Sequence, residues 1–131
     1  MLEQLTVAAA LDKLNSGEVS ARELTEAAFA RIDAVDETVK AFMTLTRDEA
    51  LSAAAMVDVK RKNGEKLGPL AGIPMVLKDN MCTKGVRTTC SSKILHNFMP
   101  PYNATVAELL QNAGSIMLGK TNLDEFAMGS S

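Results

Sequence analysis

The sequence has 131 residues, 47% of them hydrophobic, and a formal net charge of −2, so it describes at most one ordinary globular unit with enough chain to bury a core. That charge balance excludes a strongly basic surface for direct nucleic-acid binding, and no apolar run is long enough to span a bilayer. The two cysteines, Cys82 and Cys90, form neither a disulfide framework nor a metal-ligand pattern, which points to a reducing, cytosolic setting.

In chain order, Glu3 and Gln4 interrupt the start and no small-residue cleavage site follows an apolar region, so no secretory leader is expected. Thr6 precedes Val7 to Leu14, a short predicted helix closed near Asn15 and Gly17. Ser20 to Glu23 has capping-box spacing and opens a second helix to about Val35, with Leu24, Ala28, Ile32 and Val35 on its inward face. Val39 to Thr46 reads as an extended or irregular link. A further capping box, Thr46 to Glu49, starts a third helix to about Arg61, with Leu51, Ala54, Ala55 and Val59 on its apolar side. Lys60, Arg61 and Lys62 suit the dipole at its end better than they suit a functional basic patch, and Asn63 and Gly64 stop it. The many alanines favour close helix packing.

After Gly68, Pro69, Gly72 and Pro74 comes an apolar run, Met75-Val76-Leu77, that leads directly into Lys78. The run reads as a strand buried on both faces, and ligands of open α/β sheets bind beyond the carboxyl ends of such strands. Two readings of Lys78 follow. Spacing alone favours a lysine whose stem packs on the sheet while its ammonium stays in water. The alternative is a base, which requires burial to disfavour the charged form. Asp79, next along the strand, is expected to point the other way.

Gly85 to Ser92 is expected to hold a short extended piece. Ser91 and Ser92 lack an adjacent base in the sequence, and His96 reads as a surface residue. Pro100 and Pro101 mark a loop before a helix from Asn103 to Gln111, with Val106, Leu109, Leu110 and Ala113 inward and Gly114 after its end. Ser115 to Leu118 is a second buried strand with Gly119 to Asn122 as its exit loop, and Asn122 to Glu125 has the spacing to start a short helix. Gly119-Lys120-Thr121 shares residues with a phosphate loop but lacks the upstream glycines, so no nucleotide site is expected there. Strand, helix and strand imply a parallel crossover that puts Lys78 and the loop from Lys120 on one edge. Such a small sheet leaves its edges uncovered, as expected of an incomplete domain.

The motif Gly72-Ile-Pro-Met-Val-Leu-Lys-Asp-Asn80 resembles the lysine motif of the amidase signature family, and Gly119 to Ser131 resembles the segment before that family's serine-rich signature. Leu123 to Gly129 and Thr88 to Lys93 are similar to one branch of it, the A subunits of glutamyl-tRNA(Gln) amidotransferases. The resemblance implies an α/β fold: helices over residues 1–64, then, over 68–131, the first strands and crossover helix of a larger mixed sheet covered by helices. It implies an N-terminal part of a single amidase domain. In the family a lysine takes a proton through a middle serine, held by a cis peptide, from a nucleophilic serine that attacks an amide carbonyl. Carried over, Lys78 is that lysine, both serines lie in the downstream signature, and Ala127, Met128 and Gly129 line the acyl pocket. Ser130 and Ser131 match the loop before the signature and do not replace the serines. The narrower likeness implies glutamine as substrate, B and C subunits as partners and tRNA contacted through the complex. It implies ATP and Mg²⁺ only in the partner subunit, no cofactor in this chain, and a cytoplasmic location (organellar in a eukaryote). Another amidase-signature hydrolase of small amides and a non-catalytic partner-binding module are the alternatives.

Overall fold

The computed structural model describes residues 2–129. Ser130 and Ser131 lie outside the described residues. Helix α1 (Val7–Ser16) starts at Thr6, whose hydroxyl accepts from the Ala9 N–H, and ends at Gly17 in the left-handed conformation. Helix α2 (Ala21–Val39) is capped by Ser20, as the capping box requires, and continues about one turn beyond the expected Val35. It buries Ala21, Leu24, Thr25, Phe29 and Ile32.

The link expected to be extended or irregular is extended, forming an edge strand, β1 (Phe42–Leu45), antiparallel to β3 (Ile116–Thr121). Four residues with one bulge are too short for a period-2 pattern to register, and the partner strand decides the conformation. Helix α3 (Arg47–Lys62) follows, but Thr46 does not cap it through its side chain. The Thr46 hydroxyl donates to the Met117 carbonyl at 2.9 Å and its N–H to the Leu118 carbonyl at 2.9 Å, so sheet pairing takes the group that the capping box claimed. Ala50 and Ala54 face inward while Val59 is exposed, which rotates the apolar side away from the expected face.

The α2–α3 contact has a second tie that spacing does not reveal. Asp58, far along α3, accepts from the Ala21 N–H at 2.7 Å and the Arg22 N–H at 3.0 Å. It satisfies two of the orphan donors at the start of α2 and places a carboxylate at the positive end of the dipole. Asp58→Ala is expected to cost about 1–2 kcal/mol, the range of a lost cap, measured by denaturant unfolding.

The sheet order is β1-β3-β2, with β2 (Pro74–Lys78) parallel to the central β3. The expected parallel crossover through α4 (Thr105–Asn112) is present. β3 runs through Lys120 and Thr121, where a loop is expected from the sequence; pairing on both sides extends it. Gly119 is required by close approach: an added Cβ lies 2.2 Å from the Thr44 carbonyl oxygen. Gly72 has φ +90°, and its added Cβ lies 2.9 Å from that of Ala21, so α2 rests directly on the entry to β2.

The core lies between this sheet and α1–α3, with Leu14, Phe29, Ala54, Ile73 and Ile116 at its centre. Helix α4 departs from expectation. Ala107 is its buried residue, whereas Val106 and Leu109 are exposed. Its periodicity is amphipathic, but of the expected stripe only Leu110 and Ala113 are half-buried, while Val106 and Leu109 stay exposed among the described residues. Residues 85–92 hold the end of a Thr83–Val86 bridge and a turn at Cys90 and Ser91 rather than a strand, and the expected helix from Asn122 is a short 3-10 turn at Glu125–Ala127, kinked at Phe126. No helix among the described residues is long and apolar enough to cross a membrane.

Candidate active site at the carboxyl end of the parallel strands

β2 and β3 end together: Lys78 is in register with Thr121, and Leu77 with Lys120. Side chains alternate along each strand, and registered neighbours share a face. Leu77, Asp79 and Lys120 are accordingly buried, while Lys78 is exposed. Lys78 sits at the strand end as expected, and Asp79 points away from it. The exposure of Lys78 matches the reading that spacing favours, and the burial that a base at this edge requires belongs to Lys120.

Lys78 faces an open cleft of about 470 Å³ lined with Asn122, Leu123 and Asp124. The segment after β3 therefore reaches the face that carries the Lys78 amine. On the covered face, Lys120 Nζ donates to the Met81 carbonyl at 2.7 Å and to Thr88 Oγ1 at 3.0 Å, and lies 3.6 Å from Asp79 Oδ1. Both side chains of that ion pair are fully buried. Burial lowers the Lys120 pKa from its ordinary value, and the Asp79 carboxylate opposes that shift.

Asp79 ties three segments together. Its other carboxylate oxygen accepts from the Thr89 N–H at 3.1 Å and from the Thr89 hydroxyl. Its backbone N–H donates to the Thr121 carbonyl at 3.0 Å, and its carbonyl accepts from the Cys90 N–H at 3.0 Å. Burial raises the Cys90 thiol pKa, and the Asp79 charge adds to the effect. Neither cysteine is in a disulfide, and no cluster among the described residues could hold a metal ion.

The 88–92 loop then reaches the segment after β3. Ser91 Oγ donates to Asn122 Oδ1 at 2.8 Å and accepts from the Leu123 N–H at 3.2 Å. Ser92 Oγ donates to Glu125 Oε1 at 2.7 Å. Both serines thus fix one loop against another. Ala127, Met128 and Gly129 are exposed, and Met128 is 83% accessible. They follow the cleft-lining residues in the chain and contribute nothing to the cleft itself. His96 is exposed, with Nδ1 3.0 Å from the Lys93 carbonyl.

Sequence reasoning alone misses Asp79 and Lys120. The signal lies in alternation: β3 extended by three residues puts Lys120 beside Leu77, and Asp79 is two residues after Leu77 on the same face.

The sequence profile of the amidase family matches residues 23–131. The A subunit of glutamyl-tRNA(Gln) amidotransferase from Heliobacterium modesticaldum is 61% identical over 120 residues, which cover 92% of this chain and 25% of that protein. Its counterpart from Moorella thermoacetica is 56% identical over 130 residues, covering 99% of this chain and 27% of that protein. Among solved structures, native peptide amidase from Stenotrophomonas maltophilia superposes with a TM-score of 0.87 at 38% identity, covering 94% of this chain and 26% of that one. A bacterial aryl acylamidase of the amidase signature family shares the fold, with a TM-score of 0.86 at 24% identity over 93% of this chain and 26% of that one. The chain spans about a quarter of the length of the curated relatives it matches. The profile match over residues 23–131, together with a lysine at the carboxyl edge of a mixed α/β sheet, leads to one conclusion: the chain belongs to the amidase family.

Proposed function

We propose that these residues form part of the glutamine-hydrolysing A subunit of an aminoacyl-tRNA amidotransferase, and that Lys78 is its proton acceptor. The observation that carries this reading is the lysine at the end of β2, facing the cleft beside Asn122 and Leu123, in a chain 51–61% identical to A subunits. The lower identity to peptide amidase, 38%, makes a hydrolase of other small amides the second reading.

In this reading two serines from the rest of the polypeptide meet the Lys78 amine over the cleft. The nucleophilic serine attacks the side-chain amide carbon of glutamine while its proton passes through the middle serine to Nζ. Backbone N–H groups stabilise the oxyanion, the proton returns to the leaving nitrogen, and ammonia departs from the acyl-enzyme. Water then releases glutamate. The dry surroundings that a neutral lysine requires come from the same polypeptide that supplies the serines, since Lys78 is exposed among the residues described. Ala127, Met128 and Gly129 border the acyl group.

Ammonia passes to a B subunit, which uses ATP and Mg²⁺ to activate glutamate or aspartate esterified to tRNA, with a small C subunit joining the two. This chain holds no cofactor in that scheme, and the complex is cytoplasmic.

A proton acceptor without a nucleophile performs no chemistry. Residues 1–131 alone are therefore expected to release no ammonia from glutamine above the uncatalysed rate. The complete polypeptide with its partners is expected to release it in proportion to glutamine consumed. A coupled ammonia assay on both preparations checks this, and hydrolysis of a simple aliphatic amide in preference to glutamine selects the second reading.

A further inference from the structure

Of the five non-glycine residues with positive φ among those described, four lie in two segments that face one another: Cys90 (51°) and Ser91 (55°), and Phe126 (52°) and Ala127 (59°). The fifth, Lys40, caps a helix end, an ordinary place for this conformation. Side chains tolerate the left-handed region only where their surroundings over-determine it, and such residues cluster at functional sites.

Three contacts supply that constraint. The Phe126 N–H donates to the Cys90 carbonyl at 2.9 Å, joining the two strained pairs directly. Ser91 Oγ holds the Leu123 N–H at 3.2 Å. Ser92, 4% exposed, extends its hydroxyl 2.7 Å to Glu125 Oε1. The last is charge-assisted, the stronger kind of hydrogen bond. It anchors the 3-10 turn Glu125–Ala127, from which the chain passes to Met128 and Gly129. The loop carrying these anchors is itself tied to the buried Asp79, one residue from Lys78.

We infer that Glu125 is a positioning residue for amide-substrate binding: stapled by Ser92, it sets the conformation of the 126–129 segment, which follows the cleft-lining Asn122–Asp124 in the chain and borders the acyl group in the proposed reading. This rests on the proposed glutaminase reading. It assigns to the carboxylate a role in substrate affinity and none in proton transfer, and it makes the Ser92 hydroxyl the partner through which Glu125 acts.

The test uses the complete polypeptide with its partner subunits and glutamine as the probe. Glu125→Ala is expected to raise KM for glutamine about tenfold, the effect of one charge-assisted hydrogen bond, with kcat within about twofold. Glu125→Gln keeps an oxygen that accepts from Ser92 but loses the charge, and is expected to raise KM only about threefold, between the unmodified protein and Glu125→Ala. Glu125 is exposed, so both variants should fold. Ser92→Ala is expected to reproduce Glu125→Ala. An unchanged KM in Glu125→Ala overturns the inference, as does a Glu125→Gln that behaves like Glu125→Ala, or a loss confined to kcat. If the unmodified protein does not consume glutamine, the functional reading and this inference fall together. If it does and KM ignores Glu125, the inference alone falls.

Discussion

Lys78→Ala in the complete enzyme is expected to lower kcat about a thousandfold while leaving the thermal unfolding midpoint nearly unchanged. The rate effect follows from the role: a positioned acid–base group contributes roughly 10²–10⁴-fold. The unchanged stability follows from the structure. Lys78 is exposed, and the β2–β3 ladder that it ends is held by backbone groups that alanine retains. Lys78→Arg is expected to fail as badly, since the guanidinium keeps its proton and cannot accept one from a serine. Steady-state ammonia release together with calorimetry checks both variants. Near-normal turnover in Lys78→Ala would return the residue to the surface-lysine reading that spacing alone favours.

The helices are legible in the sequence because their ends are written in short-range chemistry. Thr6, Ser20 and Gly17 do what their types and spacing announce. The parallel pair β2–β3 is legible too, from two apolar runs flanking a helical segment. What escapes is set by distant partners. β1 is a strand because β3 lies beside it, and Thr46 abandons its cap because two β3 carbonyls are in reach. The stripe on α4 is amphipathic, as its spacing says, but it does not face inward, since Val106 and Leu109 are exposed. Periodicity says that a face is apolar, not what covers it. At the site, the position of Lys78 and the turning away of Asp79 are legible from the pleat. Which lysine is desolvated is not, because that depends on how far β3 runs. The resemblance to amidases locates Lys78, yet the buried charge pair beneath it follows only from the register of Leu77 with Lys120.

That pair should dominate the stability of the site, and it does so through what happens when one partner is lost. Lys120→Met keeps the length of the side chain and removes the cation beside Asp79 Oδ1, an oxygen that accepts no hydrogen bond among the described residues. The carboxylate is then left buried with its charge uncompensated, a change that costs about 3–5 kcal/mol in comparable buried pairs. Asp79→Asn, which leaves the Lys120 ammonium without its counter-charge, should cost a similar amount. Lys120 could shed its proton to escape part of that, so this variant is expected to be the milder of the two. In the double variant both charges are gone and the volume is nearly kept, and most of the loss should be recovered. The coupling energy from a cycle of these four proteins, read by denaturant unfolding, is therefore expected to be large and favourable. Additive losses would mean that the two side chains stabilise the 79–92 segment independently, through Thr89 on one side and Met81 and Thr88 on the other. The edge on which Lys78 sits would then owe its rigidity to hydrogen bonds alone.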